Sequence, residues 1–395
     1  MTRVQVLVGL ALPIAAVALG GSLDVARPAQ PAGPPAAQAM HAAVEGFGAG
    51  TRGGAGQPDC VVSSLDDAGP RTLRTCLAGG HRHVKFAVAG TIVLASQLSV
   101  QGPFVTIDGF SAPSPGITLR GWGLDIFGRN GAHDVVVRGL RIRDAGLSTL
   151  SPRGKSSTDC IGVNGPGAFN IVIEHVSIHH CADGGIDISS GPKNVTIQWS
   201  LVSTGKAMLW GSTRGSAHRD TRRISMHHTM LICGHPLGCD RFPLVRAGGH
   251  VVTADLRNNV FEGWIRANGT KIEPAAWVNV VGNAYIPRPE SSFAHRAASL
   301  AVKPGARVFA AGNLELGAPP RPDLNDNGNE ASPLPAPPIT PRELGCVVRH
   351  AGMHPRDAVD ERLLTFVARL PTACPEPDLP APADEQPPDA AESPR

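Results

Sequence analysis

The chain has 395 residues, of which 17% are charged, and its formal net charge is only +3. This length allows more than one domain, whereas the small net charge predicts no nucleic-acid footprint. Gly and Pro are abundant and there is one Tyr. This composition suits a protein of many short strands and turns better than a helical one.

The first 20 residues have the features of a secretory signal peptide. Arg3 precedes a long apolar run, and Ala18 to Gly20 supply small residues for a cleavage site. The alternative is an uncleaved membrane anchor, but the run is short for a spanning helix and contains Pro13. We therefore expect a secreted, extracellular protein without stable membrane insertion. Residues 21–43, rich in Ala, Pro and Gly, are predicted to be a disordered linker.

Eight cysteines follow the N-terminal segment, and an even number in an exported chain predicts disulfide bonds. The sequence does not determine their connectivity. The simplest pairs are the local ones, Cys60–Cys76, Cys233–Cys239 and Cys346–Cys374, and a Cys160–Cys181 bond would then join neighbouring structural repeats. Because the chain contains no CxxC pattern, a zinc site is not favoured.

Residues 44–315 are predicted to form the main domain. Its first stretch, EGFGAGTRGGAG, is Gly-rich but lacks the GK[ST] ending of a phosphate-binding loop. From Val84 onward, short β-branched runs are separated by Gly, Asn, Asp and Pro. Six of these runs superpose, with equivalent positions recurring after 24 to 36 residues, at Val135, Ile171, Val195, Ile224, Ala254 and Val278.

Repeats of this length indicate a solenoid or a propeller. They are too short for propeller blades and lack the Leu/Asn frame of leucine-rich repeats. A β-sandwich remains the alternative, because evenly spaced turns are also typical of that class. We predict an all-β protein, a right-handed single-stranded parallel β-helix. Unequal coil lengths imply long loops on one side, where a binding site is commonly built.

The C-terminal part changes composition. Residues 316–340 form a Pro-rich connector, and residues 341–374 regain helical character. In DAVDERLLTFV the apolar residues fall on one helical face, at Val359, Leu363, Leu364 and Val367. We expect this C-terminal segment to pack on the solenoid, and residues 375–395, acidic and Pro-rich, to be a disordered tail.

Three acidic residues are candidate calcium ligands. Asp159 and Asp183 are 24 residues apart, so they could stack on neighbouring coils about 4.8 Å apart. Asp187 follows Asp183 after Gly184-Gly185, where a bend could turn both carboxylates toward Asp159. Such a trio with waters would suit Ca²⁺, which takes about 6–8 oxygen ligands. Alternatively, these residues only serve turn chemistry.

Three isolated cations follow the acidic residues: Lys206, Arg241 and Arg246. Beside a bound metal ion they would suit an anionic substrate that carries carboxylates. The alternative is that each is an ordinary surface cation. His227-His228 is interpreted as a pair of core or stacking histidines, and Asn258-Asn259 as part of an internal Asn turn or ladder.

From about Glu45 to Leu370 the chain resembles the family-one polysaccharide lyases, the pectate lyases. The order of several motifs carries this resemblance: EGFGAGTRGG, TIDGFSAPSPGITLRG, HDVVVRGLRIRD, FNIVIEHVSIHHCADGGIDIS, KNVTIQWSLVSTGK, ISMHHTMLICGHPLGCDRFPLVR, LRNNVFEGW and AGMHPRDAVDERL. The chain departs from the family's usual W-I-D-H segment, which reads VIEH here, and from the Glu common at the position of Asp183.

The resemblance implies a calcium-dependent enzyme that cleaves polygalacturonate by β-elimination into unsaturated oligogalacturonides. It assigns Ca²⁺ to Asp159, Asp183 and Asp187, substrate binding to Lys206 and Arg246, and proton abstraction to Arg241. A free guanidinium has a pKa above about 12 and is not normally a base. The assigned role therefore predicts an alkaline pH optimum. The expected partner is an acidic polysaccharide, and the expected state is a monomer.

Three other functions are open. A pectin lyase, acting on methyl-esterified substrate, would have an aromatic-rich cleft, whereas this chain has few aromatic residues. A polygalacturonase would hydrolyse with paired carboxylates, but its N-T-D, G-H-G and R-I-K motifs are missing from the sequence. A non-catalytic extracellular solenoid that binds carbohydrate would show binding without turnover.

Overall fold

The structure of the chain is a computed structural model. It describes residues 44–150, 157–211, 220–235, 238–265, 268–288, 299–316, 324–325, 344–371 and 374. The predicted signal peptide, linker and C-terminal tail lie outside the described residues, as does most of the Pro-rich connector. In the described part of the chain, no helix is long and apolar enough to cross a membrane.

Three parallel sheets wind around one apolar interior, and the chain visits them in a fixed order. Sheet 1 contains Asp59–Val62, Arg82–Phe86, Val105–Asp108, Val135–Arg138, Phe169–Glu174, Lys193–Gln198, Thr221–His227, Val252–Arg257, Ala276–Val281, Arg307–Ala311 and the antiparallel Leu324–Asn325. Sheet 2 contains Gly90–Val93, Ile117–Arg120, Leu140–Arg143, Ser177–His179, Leu201–Ser203, Met230–Ile232, Val260–Glu262, Ala284–Ile286 and Leu314–Glu315. Sheet 3 contains Leu98–Ser99, Leu124–Phe127, Ile161–Asn164, Ile186–Ser189, Leu209–Gly211, Leu244–Arg246, Thr270–Ile272 and Leu300–Val302.

The helices of the described residues are short, with at most seven residues in each. The α-helices of the described residues are α1 (Leu73–Cys76), α2 (Leu344–His350) and α3 (Ala358–Leu364). Single 3₁₀ turns occupy Gly109–Ser111, Gly128–Asn130, Leu147–Thr149 and Thr365–Val367.

The strand register confirms the repeat predicted from the sequence. The six superposed positions pair in series along sheet 1, in the order Val135, Ile171, Val195, Ile224, Ala254 and Val278. Their side chains are buried and belong to one apolar cluster. Parallel pairing between successive coils is the arrangement of a β-helix and excludes the β-sandwich, whose sheets are antiparallel.

Polar side chains repeat at the corner between sheets 1 and 2. Asn259 Nδ2 donates to Asn283 Oδ1 at 2.9 Å, and Asn283 Nδ2 donates to Asn313 Oδ1 at 3.0 Å. The predicted Asn ladder is thereby confirmed. His228 stacks on Trp199 with ring centroids 4.4 Å apart, and His227 is buried, as expected for core and stacking histidines.

Four disulfides join the eight cysteines in the simplest predicted pairs. They are Cys60–Cys76, Cys160–Cys181, Cys233–Cys239 and Cys346–Cys374. The Cys160–Cys181 bond lies beside the carboxylates discussed below. It ties together the chain segments that enter two neighbouring strands of sheet 3.

The Gly-rich segment at residues 45–57 lies flat on the outer face of sheet 1, and we call it the strap. Gly48 N–H donates to Thr196 Oγ1, and Gly54 N–H donates to Thr106 Oγ1, both at 2.8 Å. A Cβ on Gly48 would lie 2.6 Å from the Ile171 carbonyl oxygen, and one on Gly54 would overlap with the backbone of sheet 1. The glycines therefore allow close backbone approach across several coils.

The C-terminal helices pack against the outer face of sheet 2. Leu363 and Val367 are buried there, and Val359 and Leu364 are partly buried, which confirms the predicted apolar face. Helices and strands share one apolar cluster: Leu201, Met230, Ile232, Val260, Ala284, Ile286, Leu344, Val347, Val348, Ala351, Leu363, Val367 and Leu370.

Candidate active site

The candidate residues gather where the chain turns from sheet 2 into sheet 3. Alternate residues of sheet 3 point inward, such as Ile186 and Ile188, which are buried in the apolar cluster. Asp187 lies between them, and strand alternation therefore places its side chain on the outer face. The loops before the strands add further charged residues. The outer face of sheet 3 thus carries a cluster of charged residues.

Asp159 and Asp183 lie on adjacent coils, as predicted. The predicted stacking of one directly above the other is wrong. The sheet 3 register pairs Ile161 with Ile186, an offset of 25 residues rather than 24. Asp159 is consequently level with Gly184, whose N–H donates to Asp159 Oδ1 at 2.7 Å. The spacing of 24 was taken from sheet 1. The turn from sheet 3 to sheet 1 has four residues after Asn164 but three after Ser189, and this difference makes the offset 25 in sheet 3.

Gly184 also makes room for Asp187. A Cβ on Gly184 would collide with the Asp187 carboxylate, which packs over the bare Cα. The carboxylate is held there because Leu209 N–H donates to Asp187 Oδ1 at 2.8 Å. Gly184 thus lets the Asp187 carboxylate pack directly over the backbone, without a left-handed conformation at this residue.

The electrostatics of these carboxylates are unfavourable without a cation. Burial is the main cause that raises the pKa of Asp159, and repulsion from the Asp187 carboxylate raises it further, against the hydrogen bond from Gly184. Burial also raises the pKa of Asp187, although the Leu209 N–H and Arg241 oppose the increase. A buried and a half-buried carboxyl group that repel each other favour either protonation or a bound cation.

A fourth carboxylate belongs to this group and was not identified from the sequence. Asp125 and Asp187 flank Gly162 in the sheet 3 register, one on each neighbouring coil. Gln97 Nε2 donates to Asp125 Oδ1 at 2.8 Å, and Asp125 contributes to the raised pKa of Asp159. A sequence signal existed, because GLDIF at 123–127 and GIDIS at 185–189 share the pattern G-x-D-I.

Lys206 and Arg241 approach the carboxylates from the next coils. Lys206 Nζ forms a close ion pair with Asp183 Oδ1. Arg241 lies 3.8 Å from Asp187 Oδ2 and 3.9 Å from Asp240 Oδ1, longer separations than direct hydrogen bonds. Its side chain is 21% exposed. The guanidinium of Arg241 is therefore close to the carboxylate group, partly open to solvent and not locked by a bidentate pair.

Arg246 lies apart from this arrangement. Its Nε donates to Glu273 Oε2 at 2.8 Å and its terminal nitrogen to Oε1 at 3.3 Å. Lys271 Nζ also donates to Glu273, at 2.8 Å. Burial alone would raise the pKa of Glu273. The hydrogen bonds from Arg246 and Lys271 outweigh this effect and hold the pKa below its usual value. Five predicted residues are thus brought together, and Arg246 is joined to a carboxylate that the sequence reasoning missed.

The fit of a metal ion depends on the chemistry of the donor set. Within the described ranges, no group of three or more His, Cys, Asp or Glu side chains stands in metal-ligand geometry. Asp159, Asp183 and Asp187 nevertheless offer the oxygen donors that Ca²⁺ prefers. Binding by all three would require Asp183 to share its carboxylate between the ion and Lys206 or to release Lys206. The three carboxylates are thus the type of ligand that calcium prefers, and one of them, Asp183, is paired with Lys206.

Comparison with known proteins points to one family. No family model matches the chain. A probable pectate lyase C from Aspergillus flavus is 31% identical over 251 residues, which cover 63% of this chain and 54% of that protein. The corresponding protein of Emericella nidulans is 35% identical over 248 residues, covering 63% and 53%. The chain resembles pectate lyases. It spans about half the length of the curated relatives it matches.

Solved structures agree on the fold. A pectate lyase from Bacillus sp. N165, solved in complex with trigalacturonate, superposes with a TM-score of 0.58 at 19% identity, covering 78% of this chain and 98% of that chain. At this identity the match shows a shared parallel β-helix. The resemblance to pectate lyases predicted from the motifs is confirmed, together with the β-helix that it implied.

Proposed function

We propose that this chain is a calcium-dependent pectate lyase that cleaves polygalacturonate by β-elimination. The observation that carries the proposal is the group of raised-pKa carboxylates on the outer face of sheet 3, next to Lys206 and Arg241. The similarity to pectate lyases supports it. An anionic sugar polymer also suits this surface, because cations and a bound metal ion would pair with its carboxylates.

In the proposed reaction, Arg241 accepts the proton from C5 of a galacturonate residue. The electrons of the C5–H bond form the C4=C5 double bond, the C4–O4 bond breaks, and the departing O4 takes a proton from water. Arg241 suits the proton-accepting role because its guanidinium is partly exposed and loosely paired. A neutral guanidine is favoured by high pH, so the reaction should be faster under alkaline conditions.

Lys206 and Arg246 would hold substrate carboxylates and stabilise negative charge that develops on them. Both are now paired with carboxylates of the protein, Lys206 with Asp183 and Arg246 with Glu273. Each must exchange or share that partner when a uronate binds. A calcium ion held by Asp159, Asp183 and Asp187 would withdraw charge from the uronate carboxylate and thereby acidify C5–H.

Two alternative functions, a pectin lyase and a non-catalytic carbohydrate-binding protein, are less well supported. A pectin lyase would act on a neutral ester and would not need the closely spaced carboxylates Asp125, Asp159 and Asp187. A non-catalytic carbohydrate-binding solenoid would leave the loosely paired Arg241 without a role.

We further propose that residues 1–20 are a signal peptide and that the protein is secreted as a monomer. The four disulfides support export, because such bonds persist in oxidising environments.

The test of this function is turnover of polygalacturonate followed by ultraviolet absorbance of the unsaturated product. With Ca²⁺ we expect a continuous increase in absorbance, and with excess chelator we expect none. New reducing ends without absorbance would indicate hydrolysis. Failure to release any product with Ca²⁺ present would contradict the lyase proposal.

The carboxylate group predicts that stability depends on calcium and pH together. Burial and repulsion raise the pKa of Asp159 from 3.8 to about 9 in the folded state. The folded chain therefore holds protons that the unfolded chain has lost, and without metal its stability should fall as the pH rises between these values. Bound Ca²⁺ should remove this loss. In calorimetry, we expect the increase in Tm produced by Ca²⁺ to be larger at pH 8 than at pH 5.

The matched control is the Asp159→Asn, Asp187→Asn double variant. It removes both carboxyl groups at nearly constant volume, so its Tm should not respond to Ca²⁺ at either pH. An equal calcium response at pH 5 and pH 8 in the parent protein would contradict the electrostatic account.

A further inference from the structure

A pocket of about 510 Å³ lies at the end of the strap beside sheet 1, whereas the carboxylate group lies on sheet 3, where Asp125 shares the coil of Phe104. It is lined by Arg52, Ala55, Gln57, His81 and Phe104. Its size is within the range of ligand sites, roughly 300–1,000 Å³. Four successive strand pairings separate the strand after Phe104 from Thr221–His227, which shares its coil with Arg241. At about 4.8 Å each, the pocket is roughly 19 Å from that coil along the axis.

The floor of the pocket is the ring of Phe104. His133 and Phe169 lie on successive coils and stack with their rings 8° from parallel, centroids 4.5 Å apart, so both rings stand across the β-helix axis. Phe104 is turned by 78° relative to His133, which aligns its plane with the axis. The half-buried Phe104 ring lies between His81 and His133, with ring centroids 5.2 and 5.3 Å away, and it lines the pocket. The faces of aromatic rings attract C–H groups, which a pyranose ring displays on its flat sides.

The rim of the pocket supplies polar donors on a fixed backbone. Ala55 N–H donates to the Arg52 carbonyl and Gln57 N–H to the Gly54 carbonyl, at 3.1 and 3.0 Å, so two consecutive turns hold the segment. Gly54 N–H anchors these turns to sheet 1. Arg52 and Gln57 thus project from a preorganised segment, which lowers the entropy cost of binding.

The donors on the rim are available. Among the described residues, neither the Arg52 guanidinium nor the Gln57 amide has a hydrogen-bond or ion-pair partner. The lining contains no carboxylate. A guanidinium with a free fork matches a carboxylate in bidentate geometry. An aromatic floor, a free guanidinium and an amide suit a sugar that carries a carboxylate.

We propose that this pocket is a second, non-catalytic binding site for an acidic polysaccharide, occupied by one uronate residue of the polymer. Arg52 binds the carboxylate, Gln57 binds a hydroxyl group, and Phe104 contacts a flat side of the sugar ring. The site anchors the polymer while other segments reach the outer face of sheet 3. The choice of a uronate as the ligand rests on the proposed function.

The test is the Arg52→Ala, Gln57→Ala double variant, in which both changed side chains reach the surface and neither is needed for folding contacts. Affinity electrophoresis in gels that contain polygalacturonate and chelator reports binding without cleavage. We expect about tenfold weaker retention, the factor for one lost charge-assisted hydrogen bond. Turnover of trigalacturonate with Ca²⁺ should be unchanged, because this short substrate does not need the second site.

Two controls separate the possible causes. Lys303→Ala removes one exposed charge at the opposite end of the solenoid and should retain the parent's mobility shift. A neutral galactan gel should retain parent and double variant equally. Unchanged retention of the double variant in polygalacturonate, or an equal loss for Lys303→Ala, would overturn the second site. If the protein proves to have no lyase activity, the electrophoresis still decides on the pocket, so the two proposals fail separately.

Discussion

Replacing Arg241 by Lys is expected to lower kcat on polygalacturonate by about 10²–10⁴-fold, the range for loss of a general base. Lys keeps the positive charge near Asp187, so substrate attraction is retained. It does not keep the planar guanidinium, and its shorter reach changes where the proton acceptor lies. The side chain is partly exposed and its ion pairs are 3.8 and 3.9 Å long, so Tm should change little.

Two comparisons test the role of Arg241. Arg71→Lys, at an exposed position on the N-terminal coils, should leave kcat and KM unchanged. Arg246→Lys should mainly raise KM, because Arg246 is proposed to hold a substrate carboxylate and not to take the proton. If Arg241→Lys retained the parent kcat and its pH profile, positive charge alone would explain the residue, and the proposed base would be wrong.

Replacing Arg143 by Met is expected to cost about 3–5 kcal/mol of stability, the typical loss when one partner of a buried ion pair is removed. Arg143 projects from sheet 2 and donates to Asp360 at 2.8 Å and to Asp357 at 3.0 Å. The Asp360 side chain is 1% exposed. The variant leaves this carboxylate buried without its main partner.

The loss should appear first in the C-terminal helices. Asp357 caps α3 by accepting from Val359 and Asp360 N–H groups, so the same cluster positions the helix and attaches it to sheet 2. Urea unfolding measures the total loss, and limited proteolysis shows whether residues 344–371 are released. Arg349→Met, at an exposed site on α2, should change stability by less than about 0.5 kcal/mol. Equal stability of the two variants would contradict the role of the buried cluster.

The sequence was sufficient for the architecture because its repeats carry the register. Val135 and its five counterparts are apolar at the same position of each coil, and burial of one strand face allows only that alignment. The four disulfides match the simplest pairing, although the sequence alone left their connectivity open. The recurring apolar positions relate segments that follow one another along the chain, so they can be recognised in a single sequence.

The details of the site depend on the lengths of individual turns, which differ between coils and cannot be derived from the repeat pattern. Asp159 and Asp183 are 24 residues apart, but one additional residue in the turn from sheet 3 to sheet 1 makes the offset between their coils 25 residues in sheet 3. Asp125 lies two coils from Asp187, with Gly162 between them, so only the full three-dimensional register shows that it belongs to the group. Glu273 was missed for a similar reason, because it meets Arg246 only where their coils pair.

The strap changes how a solenoid of this kind should unfold. In repeat proteins each unit contacts only its neighbours, so coils can detach from an end one at a time. Here the strap touches Ser225 at one end and the backbone of Arg82 at the other, and it crosses the intervening strands of sheet 1. Loss of an N-terminal coil would therefore also remove contacts made several coils away. Energetically, this couples distant units and favours melting of the spanned coils in a single cooperative transition.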